Sequence, residues 1–339
     1  MPNPIRVMVV DDSSFMRSAL KRRIEQDARF KVIDTAQNGR EGVDKALALK
    51  PDVVTLDVEM PVMNGLEALK EIVTKSTIPV IMVSAVTEAG AKITIDALSI
   101  GAVDFIPKSK GADLIHEKLL AAVNASLSRR IMATRRMAPP VMSPRPVRTT
   151  TRVPAKIVVI GSSTGGPQAL QEVLRAVPAS LPVPIVVAQH MPPQFTLALA
   201  KRLNDICPLR VVEAEDNTPL TAGTVYIGPG GQHLRVTSTH IKVEADKGES
   251  LYKPSVDVLA ESAISAFGKQ ILGVMLTGMG NDGAKEFVRL HKSGGYTLVQ
   301  DQASSVVYGM PRAVADAGAA DELLPLDQIG GRIRSSFGL

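Results

Sequence analysis

KIVVIGSSTGGP, residues 156–167, joins an apolar run to a glycine-rich turn and then to a proline. Four consecutive β-branched residues, Ile157 to Ile160, suit a strand buried on both faces. The glycines let the chain turn sharply, and proline is at home in the first turn of a helix. A strand, a tight turn and a helix in immediate succession open a β–α unit, so the stretch predicts an α/β fold with a parallel sheet. The turn also reads G-x-S-x-G over residues 161–165 with Ser163 at its centre, the pattern that exposes a nucleophilic serine near the positive end of a helix. A helix-capping serine and a phosphate-cradling loop are the competing readings, and the second lacks the lysine of a P-loop.

The same alternation extends in both directions. Downstream, IVVAQH (185–190), ILGVMLT (271–277) and TLVQ (297–300) alternate with helical patterns. Residues 209–245 instead read as short strands separated by turns such as PGG, so a mostly parallel, Rossmann-like sheet with an inserted antiparallel ribbon is expected. Upstream, IRVMVV (5–10), KVIDTA (31–36), VVTL (53–56), PVIMVS (79–84) and VDFI (103–106) alternate with amphipathic stretches. Five such units predict a second doubly wound, flavodoxin-like sheet. Between the two halves, SRRIMATRRMAPPVMSPRPVRTTTR (128–152) is arginine- and proline-rich and without apolar period, as a flexible linker is. The expected organisation is a domain over 1–125, a linker over 126–152 and a second domain over 153–339.

Composition bounds the function classes. The chain has 339 residues, 45% hydrophobic and 22% charged, which suits two soluble globular domains. A formal net charge of +5 invites a nucleic-acid reading. However, seven of the 39 lysines and arginines lie in 128–152 with no acidic residue among them, so the rest of the chain carries 32 basic against 34 acidic residues. Charge confined to a linker argues against a nucleic-acid partner. A single cysteine, Cys207, no membrane-length apolar run and no signal-peptide pattern lead to the expectation of a cytoplasmic protein without membrane insertion.

Functional groups of doubly wound sheets gather at the carboxyl ends of the strands. In the first half those ends carry Asp11, Asp12, Asp57, Ser84 and Lys108. Three carboxylates in one crevice call for a cation, and oxygen-only ligands suit Mg²⁺. A hydroxyl and an ammonium beside them suit the oxygens of a phosphoryl group. In the second half, a nucleophilic Ser163 needs a base. His116 and His291 fall on helical patterns and His233 and His240 on the hairpin region, whereas His190 ends a buried strand. Asp282, in the GMGNDG loop after ILGVMLT, is the carboxylate that would orient it. The order Ser–His–Asp differs from that of α/β-hydrolases, so the turn does not imply that fold. GMGNDG also spells G-x-G-x-x-G, with Asp301 18 residues beyond its last glycine, but Asp282 would set a negative charge where a pyrophosphate binds.

The set DD…D…EMPVMNG…SA…F..K over residues 4 to about 125 resembles a response-regulator receiver domain. The resemblance implies that Asp57 accepts a phosphoryl group from a chemotaxis histidine kinase. It further implies that Asp11, Asp12, Asp57 and the backbone carbonyl of Glu59 hold Mg²⁺, that Ser84 and Lys108 bind the phosphoryl oxygens, and that Phe105 is the switching aromatic. Ser109 stands where receivers usually have proline. IGSSTGGP, QHMPPQFT, YIGPGGQHL, KPSVDVLAESA, LTGMGNDG and QDQASSVVYGMP make residues 153–339 similar to the catalytic domain of the chemotaxis protein-glutamate methylesterases. That likeness implies a phosphorylation-activated hydrolysis of glutamate γ-methyl esters on methyl-accepting chemoreceptors in membrane arrays, and deamidation of receptor glutamines. It makes Ser163, His190 and Asp282 the triad, offers the amide of Met279 to the oxyanion, and implies no cofactor in the catalytic domain. The rival reading is a response regulator with a non-catalytic, DNA- or protein-binding output, which would need a basic recognition helix.

Overall fold

In the computed structural model the chain forms two units, Met1–Ile131 and Met132–Leu339. The structure describes residues 3–85, 87–108, 115–135, 153–245, 248 and 251–339, with the side chains of 127–135 left aside.

The first unit runs β1 (Ile5–Val10), α1 (Ser14–Ile24), β2 (Phe30–Ala36), α2 (Gly39–Leu49), β3 (Val53–Asp57), α3 (Gly65–Lys75), β4 (Val80–Ser84), α4 (Glu88–Ile100), β5 (Asp104–Pro107) and α5 (Ile115–Arg135). Its strands pair in parallel in the order β2-β1-β3-β4-β5, the flavodoxin-like order expected. Helices on both faces explain why β3 and β4 are buried along their whole length. Ser13, Asn38, Asn64 and Thr87 cap α1 to α4 by accepting backbone N–H bonds. These caps follow closely on strand ends, which keeps the loops over the carboxyl edge short. Helix α5 continues past residue 126, where the linker was expected to begin. Helix formers in ASLSRRIMATR and no proline before Pro139 account for the extension. The remaining linker residues, 136–152, and Ser109 lie outside the described residues.

The second unit runs β6 (Ile157–Ser162), α6 (Gly166–Arg175), β7 (Ile185–Gln189), α7 (Phe195–Ile206), β8 (Arg210–Glu213), β9 (Thr224–Ile227), β10 (Gln232–Val236), β11 (Ile241–Ala245), α8 (Val256–Phe267), β12 (Ile271–Met275), α9 (Ala284–Lys292), β13 (Tyr296–Gln300), α10 (Met310–Asp316), β14 (Glu322–Leu324) and α11 (Leu326–Ser336). Seven strands form a wholly parallel sheet in the order β14-β13-β12-β6-β7-β9-β8. The antiparallel ribbon is β10–β11, with an isolated antiparallel bridge between Pro219 and His240 beside it. β8 and β9, from the same stretch of short strands, join the main sheet in parallel. From β6 the chain moves one way to β7 and later returns to lay β12 on the other side. β6 therefore lies at the topological switch point, where open α/β sheets bind ligands at the carboxyl edge.

Candidate active site

β6 ends at Ser162, and the two serines there have opposite fates. Ser162 is fully buried and donates its hydroxyl to Gln189 Oε1 at 2.6 Å. Ser163 is half-buried, one residue beyond the strand. Its amide donates to Thr277 O on the β12 side at 3.0 Å, and its carbonyl accepts from Gly166 at 2.8 Å. The backbone of Ser163 is thus tied to the neighbouring strand and to the start of α6. Gly165 takes φ +77 in the turn, a conformation that favours glycine.

Gln189 organises this edge. Its Nε2 donates to Ser163 O and to His190 O, each at 3.0 Å, while its Oε1 accepts from Ser162. Both oxygens facing Nε2 are carbonyls and can only accept, which settles the orientation of the amide. One buried side chain thereby clamps the carbonyls of both Ser163 and His190. A Cβ at position 166 would overlap Gln189 Oε1, so glycine is needed there.

His190 follows β7, and its own amide donates to Ser162 O at 3.0 Å. The ring is 8% exposed, and its Nε2 lies 2.7 Å from Asp282 Oδ2. A carboxylate oxygen only accepts, so Nε2 carries the hydrogen and the lone pair sits on Nδ1. Nδ1 is buried without a hydrogen-bond partner, and no hydrogen bond joins Ser163 Oγ to the imidazole among the described residues.

Asp282 sits in the turn before α9, beside the N-terminus of α8. Its carboxylate accepts from His190 Nε2, from Ser255 Oγ at 2.9 Å, and from the amides of Val256 and Asp257 at 2.6 and 3.1 Å. Four donors occupy its lone pairs, and the helix dipole favours negative charge at that end. Burial alone would raise this carboxyl. The His190 hydrogen bond and charge, with the two amides, outweigh burial and hold it below the ordinary aspartate value. This use of the GMGNDG loop leaves its aspartate committed to a histidine and a helix end rather than to a dinucleotide.

Gly278 packs close to the nucleophile, since a Cβ there would lie 2.9 Å from Ser163 Cβ. The next residue, Met279, is half-exposed, and its amide makes no hydrogen bond among the described residues. Three residues escaped the sequence reading. Gln189, Ser255 and Tyr252 all bear on the site, and Tyr252 stacks on the His190 ring at a centroid distance of 4.3 Å and an interplanar angle of 2°. Ser255 had a signal in SVDVLAESA, a capping residue and an early acid before an apolar period. Gln189 and Tyr252 had none, because neither residue type at a strand end or in a loop implies a partner.

In the first unit, ligand atoms of Asp11, Asp12 and Asp57 lie within 4.8 Å of one another. Asp11 and Asp57 are buried and Asp12 is exposed. Lys108 Nζ donates to Asp57 Oδ2 at 2.8 Å and lies 3.1 Å from Asp11 Oδ2, in an ion pair without hydrogen-bond geometry. Burial raises the Asp57 carboxyl and the Asp11 charge adds to it, and although Lys108 and the Val58 amide oppose, it stands at about 6. Burial acts to lower Lys108, but both carboxylates outweigh it and hold the ammonium above the usual lysine value. Ser84 Oγ is buried and turned toward Gly90 O and Ala85 O, at 3.3 and 3.2 Å. Phe105 is buried, with Lys118 Nζ 5.2 Å from its ring centroid, so the aromatic already stands inward. Glu59, two residues past Asp57, is exposed.

The two folds and their sites define a class, a receiver joined to an α/β hydrolytic unit with a Ser–His–Asp edge. The description "CheB methylesterase" matches residues 158–333, and "Response regulator receiver domain" matches residues 7–120. A relative from Symbiobacterium thermophilum, named protein-glutamate methylesterase/protein-glutamine glutaminase, is 42% identical over 356 residues, covering 99% of this chain and 98% of its own. One of the same name from Vibrio parahaemolyticus is 44% identical over 368 residues, covering 99% of both. The methylesterase catalytic domain of Thermotoga maritima has a crystal structure similar to this one at 39% identity and a TM-score of 0.51, covering 53% of this chain and 97% of its own. The chain belongs to the CheB methylesterase family and carries that family's receiver domain. No described helix is long and apolar enough to cross a membrane.

Proposed function

We propose that this chain hydrolyses glutamate γ-methyl esters on methyl-accepting chemoreceptors to glutamate and methanol, and deamidates specific receptor glutamines, with Ser163 as nucleophile, His190 as base and Asp282 as its anchor. What supports this most is the saturated Asp282–His190 pair on the same sheet edge as a half-exposed Ser163. Nδ1 of His190, with its free lone pair, takes the hydroxyl proton as Ser163 Oγ attacks the side-chain carbonyl carbon. Asp282 stays ionised and holds the resulting imidazolium. The oxyanion of the tetrahedral intermediate takes hydrogen bonds from backbone amides, Met279 N among them. Collapse expels methoxide, which leaves as methanol with the proton from Nδ1; from glutamine the leaving group is ammonia. Water then attacks the acyl-serine, giving its proton to Nδ1, and release of glutamate restores the Ser163 hydroxyl.

The receiver regulates this chemistry through phosphorylation of Asp57 by a chemotaxis histidine kinase. The acidic cluster fits a hard divalent cation, because all its donors are oxygens and Asp11 Oδ2 is buried without a hydrogen bond. Asp11, Asp12, Asp57 and the carbonyl of Glu59 would hold Mg²⁺, which supplies positive charge against the phosphoryl oxygens. Lys108 must exchange its Asp57 carboxylate for a phosphoryl oxygen, and Ser84 must turn its hydroxyl away from Gly90 O. The cytoplasm, where receptor arrays expose their methylated helices and the kinase resides, is the compartment this reading requires. The test is methanol release from methylated receptor membranes, with and without acetyl phosphate and Mg²⁺. Release that rises with the phosphodonor is expected, and its absence under both conditions would overturn the proposal.

A further inference from the structure

The base of the triad needs more than a hydrogen bond to be aimed. The bond from Nε2 to Asp282 fixes one point of the imidazole, and the ring can still rock about the line through that point. A lone pair lies in the ring plane, so rocking swings it away from the hydroxyl that is to donate to Nδ1. Tolerances at reacting atoms are on the order of 10–20°. Something must therefore hold the plane.

Tyr252, on the segment just before α8, does so. Its ring lies parallel to the imidazole within 2° at a centroid distance of 4.3 Å, stacked against one face. Tyr252 is itself confined at its far end. A Cβ at position 280 would stand 2.9 Å from its hydroxyl, and Gly280 takes φ +83 in the loop between β12 and α9. The phenol is thus lodged between the His190 ring and a backbone turn that only glycine suits. Three separate segments, after β7, before α8 and after β12, meet at this stack.

We propose that Tyr252 is a positioning residue for the reaction, holding the imidazole plane and favouring the imidazolium that forms when Ser163 loses its proton. The inference rests on the reading of Ser163 and His190 as nucleophile and base. The second effect follows from the ring quadrupole, whose negative face attracts a cation that appears beside it. Asp282, from the β12–α9 loop, hydrogen-bonds the imidazole, and Tyr252, from the segment before α8, stacks on it. Phenylalanine keeps the π face, whereas leucine keeps the burial and removes the face.

The experiment compares Tyr252→Phe and Tyr252→Leu in the full-length chain, using methanol release from methylated receptor membranes over a range of receptor concentrations. Tyr252→Phe is expected to keep kcat within about twofold of wild type. Tyr252→Leu should lower kcat about tenfold with KM almost unchanged. Ring ¹⁵N relaxation of His190 supplies a second readout, with a rigid ring in wild type and Tyr252→Phe and added ring motion in Tyr252→Leu. Should the leucine variant fail to fold, Tyr252→Met tests the same loss of the aromatic face. Wild-type kcat and a rigid His190 ring in the leucine or methionine variant would overturn the inference, as would a phenylalanine variant impaired as deeply as leucine. An error in the underlying triad shows itself separately, as methanol release by Ser163→Ala.

Discussion

Asp282→Asn separates the charge of the triad from its shape. The carboxylate oxygen lies 2.7 Å from His190 Nε2. At an effective dielectric constant of about 20, a full charge pair at that distance is worth about 6 kcal/mol, or slightly more than four decades of rate. That interaction exists only once His190 has taken the serine proton, so it is lost from the transition state whichever way the new amide turns. The same substitution in a Ser–His–Asp protease costs about 10⁴ in kcat, a loss that includes the wrong imidazole tautomer. The structural cost is smaller. Four donors now share one acceptor oxygen, leaving at least one of the Val256 and Asp257 amides unpaired at about 1–3 kcal/mol, which a domain of ordinary stability survives. The assay is methanol release by the phosphorylated full-length protein, paired with a melting curve. A folded Asp282→Asn protein within about tenfold of wild type would refute the electrostatic role assigned to the carboxylate.

Gln189→Glu sets a carboxylate against the carbonyls of Ser163 and His190 and removes both donors, so a loss of about 3 kcal/mol is expected. That loss lowers the melting temperature of the catalytic unit by about 6–12 °C, readable by calorimetry. Asp57 stands at about 6 when folded, against 3.8 for an ordinary aspartate. The folded receiver therefore binds this proton more tightly than the unfolded chain does. Its stabilisation is full below pH ~4 and is lost as pH rises toward 6, by no more than about 3 kcal/mol. With divalent cations chelated, hydrogen exchange of β1 and β3 amides should show a receiver more stable at pH 5 than at pH 7.5. In Asp57→Asn that contrast should shrink. Asp282 has the opposite sign: its lowered value stabilises the catalytic unit above the ordinary aspartate range and is lost on further acidification, so the melting temperature of that unit should fall as pH drops below about 4, and fall less in Asp282→Asn.

Much of this architecture is legible in the sequence. The doubly buried runs IRVMVV and KIVVI name their own parallel sheets, because β-branched runs without alternation suit only strands covered on both faces. Ser163, His190 and Asp282 were legible as strand-end residues, since strand ends in such sheets converge. The partners that aim them were not. Ser162 and Gln189 face each other only because β6 and β7 are in register, and register is a tertiary property. Tyr252 reaches His190 across a gap of 62 positions in the chain, through a loop whose path no local pattern predicts. β8 and β9 show the same limit. They read as part of a ribbon region, but their partners were decided by the sheet they could extend. The length of α5 was missed for a different reason: an arginine-rich stretch looks like linker, although arginine, leucine, methionine and alanine are all good helix formers.

The account stands on the difference between two adjacent serines, and one measurement addresses it directly. Methanol release from methylated receptor membranes is followed for wild type, Ser162→Ala and Ser163→Ala, each phosphorylated and at equal concentration. Ser162 lies buried against Gln189, so its alanine variant should turn over measurably, whereas Ser163→Ala, lacking the attacking oxygen, should release none above the rate without enzyme. Turnover by Ser163→Ala with none by Ser162→Ala would contradict the assignment of the nucleophile and with it the mechanism built on it.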